Sequence, residues 1–175
     1  MKLSRPVWAE INLDNLAHNM REVRRVTAVI KADGYGHGAV YIAETLLENG
    51  ADRFAVATLS EAIQLKTFFP NIETMVLGYT PENLALDLIK YNIIQTIYTL
   101  EQAKEFSQAA ISLNKKIIVH IKLDTGMNRL GMVFEDKTID NILEISKLDG
   151  LIIEGIFTHF AAADEIDKEY TIQQV

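Results

Sequence analysis

Six short runs rich in β-branched residues, each separated from the next by a helical pattern, constrain this chain more than any other feature. The runs occupy 28–31, 53–57, 74–77, 93–97, 116–123 and 151–158. Between them lie amphipathic patterns over roughly 38–49, 59–68, 81–91, 100–113 and 136–148. Several helix starts carry their own signals. Thr58 with Glu61 and Thr99 with Gln102 are capping-box pairs, and Thr80-Pro81 places a proline at a first helical position. Strands alternating with helices over short connections imply parallel strands joined by right-handed crossovers. The architecture is then an open doubly wound sheet or a closed (β/α)8 barrel. Lys31, Arg129 and His159 come from three different units, and each stands at or just beyond the C-terminal end of a strand. Barrel enzymes collect their chemistry there, so the barrel is the expected fold.

Ahead of these units, Val7-Trp8-Ala9-Glu10-Ile11 alternates apolar and polar residues and reads as a half-buried strand. Leu13, Leu16, Met20 and Val23 follow as a helical stripe, with Asn12 as N-cap. Six strands in 175 residues fall short of a barrel, which typically needs about 250. An unfinished barrel exposes strand edges and apolar interior, so the chain is expected to be part of a longer protein. The net charge of −7 speaks against nucleic acid or an anionic membrane surface as a partner. The absence of cysteine excludes thiolate metal sites and cysteine nucleophiles, and the acidic residues show no metal-ligand spacing. With no signal-peptide pattern at the start, the expected compartment is the cytoplasm.

The first chemical segment is Ala28-Val29-Ile30-Lys31-Ala32-Asp33-Gly34-Tyr35-Gly36-His37-Gly38. A lysine at a strand tip, its stem among apolar neighbours, has its ammonium form disfavoured and can serve as a Schiff-base nucleophile or a base. Taken alone, a strand-end lysine snorkelling to water is the commoner reading. His37 is expected to steady the turn or open the next helix. The second segment is Lys122-Leu123-Asp124-Thr125-Gly126-Met127-Asn128-Arg129-Leu130-Gly131. Its arginine suits bidentate capture of a carboxylate, and a structural Asp124–Arg129 ion pair is the competing reading. Phe157-Thr158-His159-Phe160 ends the last run, and a histidine so flanked is more often a satisfied core residue than a catalyst.

Lys31 to Gly38, the Asp124-Thr125-Gly126-Met127-Asn128-Arg129-Leu130-Gly131 string and the stretch from Phe157 to Glu165 together resemble alanine racemases. The resemblance runs over nearly the whole chain, with a shortened connection at Arg24-Arg25-Val26-Thr27. It implies residues 1–175 as the N-terminal portion of a pyridoxal 5′-phosphate (PLP)-binding barrel. The strand at 7–12 would then pack with a C-terminal β domain. Lys31 would carry PLP and act as one catalytic base. Tyr35 would hold the cofactor phosphate, and Val29, Leu77 and His159 would lie at the cofactor. Met127 and Arg129 would bind substrate, and Lys122 would be a carbamylated lysine that holds Arg129. Without the resemblance, Tyr35 reads as a rim aromatic, and Val29 and Leu77 as ordinary core residues. The implied reaction is two-base interconversion of L- and D-alanine in a homodimer, supplying D-alanine for the cell wall. The 175-residue stretch by itself is expected to be inactive. The alternatives are a racemase of another small amino acid, such as serine, and a non-catalytic PLP-binding barrel.

Overall fold

A computed structural model describes residues 12–21 and 26–175. Of the strand expected at 7–12, residues 7–11 lie outside the described residues, as do Val23 of the helical stripe and the short connection at Arg24-Arg25; Asn12 is described and belongs to no strand. The chain divides into two compact units between Thr74 and Met75.

In the first unit, α1 (Leu13–Arg21) starts at Asn12, whose side-chain oxygen accepts the N–H of Asn15 at 2.9 Å. Strand β1 (Val26–Val29) pairs in parallel with β2 (Ala51–Val56), and Ile30 N–H extends the ladder to Ala55 O at 2.9 Å. The expected strand at 28–31 is thus shifted toward the N-terminus, and Lys31 lies beyond its end. Lysine 31 instead opens a short turn, α2 (Lys31–Tyr35), whose interior is left-handed. Helix α3 (Ala39–Glu48) follows, its start capped at long range by Asp33 Oδ1, which accepts Ala39 N–H at 2.8 Å. After β2, α4 (Leu59–Phe68) begins at Thr58 with both halves of the expected capping box formed. Phe54 of β2 is fully buried and meets Phe69 edge to face at 6.1 Å.

The second unit is a parallel sheet built outward from its longest strand, β5 (Ile117–Asp124). Strand β3 (Glu73–Val76), at the boundary, pairs with β4 (Ile94–Ile97), β4 with β5, and β5 with β7 (Leu151–Phe157). A two-residue strand missing from the sequence reading, β6 (Met132–Val133), pairs with Leu123 and Asp124. Every residue of β4 is buried, as expected for a parallel strand covered on both faces. Helices α5 (Ala85–Tyr91), α6 (Leu100–Ser112) and α7 (Asp136–Ile145) supply the cover, with Leu88, Phe106 and Ile145 almost wholly buried. Pro81 precedes a 3-10 turn at Glu82–Leu84 instead of opening the helix itself, because its ψ of 142° is extended. Thr99 accepts Gln102 N–H, but Gln102 returns its bond to Tyr98 N–H, one residue earlier than a capping box requires. A last short helix, α8, spans Glu169–Gln173. Among the described residues, no helix is long and apolar enough to cross a membrane.

Candidate active site

Five successive residues after Lys31 have positive φ: Ala32 at 51°, Asp33 at 52°, Gly34 at 65°, Tyr35 at 56° and Gly36 at 86°. For residues with a Cβ this conformation costs about 1–2 kcal/mol each, so the surroundings must hold it. Backbone bonds from Gly34 N–H to Ile30 O and from Gly36 N–H to Ala32 O close the turn. Glycine suits position 34, because its φ is 65° and a Cβ there would press on Ala39 N at 3.2 Å as well as on the tip of Ile42 at 2.8 Å. His37 plays the steadying part expected of it, its Nδ1 donating to Tyr35 O at 3.2 Å. The Lys31 amine stands 6.0 Å from the Tyr35 ring centroid and makes no hydrogen bond or ion pair among the described residues. Val29 and Tyr35, both exposed, line a groove of about 630 Å³ together with Asn12, Thr27 and His37. Lys31 is not among its lining residues.

Glu61 was legible from the sequence only as part of a helix cap. Its Oε2 accepts Thr58 N–H at 3.0 Å and Ala57 N–H at 2.8 Å, while Oε1 accepts Ala32 N–H at 2.8 Å. One carboxylate therefore ties the end of β2 to the turn after β1.

In the second unit, the loop between β5 and β6 is organised by Asp124. Its Oδ1 accepts the N–H groups of Gly126 and Asn128, both at 3.0 Å, and its Oδ2 that of Arg129 at 2.8 Å. These bonds, chiefly the one from Gly126, hold its carboxyl below the usual aspartate range against the opposing effect of burial. The Asp124–Arg129 relation is thus carboxylate to backbone and not an ion pair, which leaves the exposed guanidinium to other work. Lys122, nearly buried, donates from Nζ to Leu123 O at 2.7 Å and lies 5.5 Å from the Phe157 ring. Burial lowers its pKa; Asp124 opposes that shift and Arg129 adds to it.

Leu77 is half-buried at the end of β3, its carbonyl bonded by the Tyr98 hydroxyl. Burial raises the Tyr98 pKa to about 12, with Arg129 pulling the other way. His159 is exposed, two residues past β7, and its carbonyl accepts from Gln174 Nε2 at 3.3 Å. Met127 is half-buried in the Asp124 loop. Sequence reasoning missed the ties that join these loops. Thr125 and Thr158 share a hydroxyl bond at 2.9 Å, Gln174 reaches Thr125 Oγ1 at 3.3 Å, and the Tyr170 hydroxyl donates to Gly126 O at 2.5 Å. No local signal marks such pairs, because their partners are 33 to 49 residues apart. His120, given no chemistry from the sequence, pairs with Glu154 at 2.6 Å.

Residues 11–175 match the family model described as alanine racemase, N-terminal domain. The chain belongs to the alanine racemase family. It is 53% identical over 173 residues to an alanine racemase of Clostridium tetani (strain Massachusetts / E88), covering 95% of this chain and 45% of that protein. The structure of an alanine racemase of Clostridium difficile 630 in complex with cycloserine superposes with a TM-score of 0.90 at 43% identity. That match covers 99% of this chain and 50% of the other. A histidine racemase from Leuconostoc mesenteroides subsp. sake NBRC 102480 superposes at 0.84 with 29% identity, over 93% of this chain and 44% of that one. The fold class is therefore the α/β barrel class of the alanine racemase N-terminal domain. The chain spans about half the length of the alanine racemases it matches.

Proposed function

We propose that the full-length protein interconverts L- and D-alanine with PLP carried on Lys31. The observation that carries this reading is the left-handed turn that begins at Lys31 and sets its amine 6.0 Å from the ring of Tyr35. The donor set suits that cofactor. A primary amine is available for its aldehyde, a phenol hydroxyl in the same turn for its phosphate, and Val29 for an apolar flank. Leu77 and His159, each at the end of a strand, are the remaining candidates for cofactor contact. When bound, PLP delocalises the electron pair left behind as the α-proton departs.

The chain's own residues then divide the work. Lys31 Nζ takes or returns the α-proton on one face of the substrate, and a group outside this chain serves the other. Arg129 binds the substrate carboxylate in a two-pronged bond and Met127 packs beside it, so that the Cα–H bond is aimed at a base. A lysine whose pKa is lowered has more free amine at neutral pH. We assign Lys122 a carbamate, formed when Nζ attacks carbon dioxide, makes an N–C bond and releases a proton. The resulting anion would hold the Arg129 guanidinium. Membership of the family supports a homodimer, a cytoplasmic location and supply of D-alanine to the cell wall as parts of the same proposal.

A second reading, racemisation of another amino acid, is favoured by the histidine racemase that shares this fold over 93% of the chain. Absorbance of the full-length protein with PLP, before and after borohydride, followed by peptide mapping, tests the cofactor site. An adduct on Lys31 is expected, and none on a folded protein would sink the proposal. Racemase assays with alanine, serine and histidine then separate the two readings.

A further inference from the structure

We propose that Glu61 is a positioning residue for Lys31, acting through the peptide group that joins Lys31 to Ala32. Its functional meaning rests on the reading of Lys31 given above, whereas the clamp itself does not. A capping box uses one bond from the carboxylate to the N-cap amide. Here that bond accounts for part of one oxygen, and Oε1 is left to accept Ala32 N–H at 2.8 Å across 29 residues. Ala32 is the first left-handed residue of the turn, with φ 51° and ψ 51°. Its N–H shares a rigid plane with the Lys31 carbonyl. Gripping that plane sets the ψ of Lys31, and with it the direction in which the lysine side chain leaves the strand end.

The turn is held from both sides. Glu61 secures its entry, and Asp33 secures its exit through the 2.8 Å bond to Ala39 N–H. A carboxylate is a stronger acceptor than a neutral oxygen, which suits a conformation that the residues themselves disfavour. The bond to Ala57 N–H adds a second consequence, because it anchors the clamp to the end of β2, next to β1. The amine is thereby referenced to two strand ends.

The experiment compares Glu61→Ala, Glu61→Met and Thr58→Ala in the full-length protein. Thr58→Ala weakens the same helix cap without touching Ala32, and methionine keeps helix propensity and length should alanine fail to fold. Amide hydrogen exchange at Ala32 is measured in the cofactor-free protein. The pH midpoint of the lysine-linked chromophore and the yield of borohydride-trapped Lys31 are measured with PLP. Both Glu61 variants are expected to speed Ala32 exchange about tenfold or more relative to Thr58→Ala, as loss of a charge-assisted bond implies. They are also expected to shift the chromophore midpoint and lower the trapped yield, while Thr58→Ala matches wild type in all three. Glu61 variants indistinguishable from Thr58→Ala would overturn the proposal. If wild type forms no Lys31 adduct, the reading of Lys31 fails instead, and the exchange data still decide the clamp.

Discussion

The carboxylate of Asp124 accepts the backbone N–H of Arg129 at 2.8 Å, so the acid that closes the loop also fixes where the guanidinium begins. Asp124→Asn should lower stability by about 1–3 kcal/mol, because an amide cannot serve the donors that converge on the carboxylate. The loss should depend on pH. Folding holds this carboxyl below its ordinary range, so the unfolded chain takes up the proton first as pH falls. Its stabilisation is complete above the ordinary aspartate value of about 3.9 and is lost as pH drops through the lower folded value. Urea unfolding from pH 7 to pH 2 checks this. An acid limb of equal slope in the variant would count against it.

Replacing Lys31 with alanine in the full-length protein should abolish the lysine-linked chromophore while leaving far-UV circular dichroism unchanged. Arg129→Ala should leave that chromophore in place and cut kcat/KM for alanine by a hundredfold or more, since a charged substrate bond contributes roughly 3 kcal/mol. Steady-state kinetics beside the absorbance spectrum separates the two roles. Unchanged kinetics would remove Arg129 from the substrate site.

Carbamylation of Lys122 should appear as a carbonyl resonance after incubation with carbon-13 bicarbonate. It should vanish in Lys122→Ala. Persistence of the resonance in the variant would place the carbamate elsewhere.

Gly131→Ala should destabilise the loop by at least about 1 kcal/mol, since a side chain is strained at such a backbone angle. The glycine has φ 135°, and a Cβ there would lie 2.6 Å from Asp124 N. Thermal denaturation measures the effect, and an unchanged Tm would mean that the β5–β6 pairing can shift to make room.

The strands and helices were legible in the sequence because local patterns fix them. β-Branched runs mark 53–57 and 93–97, and Thr58 and Thr99 announce their helices within three residues. Lys31, by contrast, was read as the end of a strand. Its apolar run gives no warning that Ala32 and Asp33 turn left-handed, since the bonds that hold them come from Glu61 and Ala39. The competing reading of an Asp124–Arg129 ion pair does not hold, because spacing cannot distinguish a bond to the guanidinium from the one to the amide that forms. Gln174 and Tyr170 gave no signal at all, their partners being brought close only by the folded chain.

A turn wound against the natural hand of its residues also acts as a one-way filter on sequence drift. At Ala32, glycine or asparagine would relieve strain, whereas valine, isoleucine and threonine would add to it; at Asp33 asparagine keeps an oxygen for Ala39 N–H, which glycine would lose. At Gly34 a side chain would be strained by the backbone angle and would crowd Ala39 and Ile42. A saturation library across these positions would therefore record handedness as a preference for small or amide-bearing residues, independently of which molecule the neighbouring amine engages.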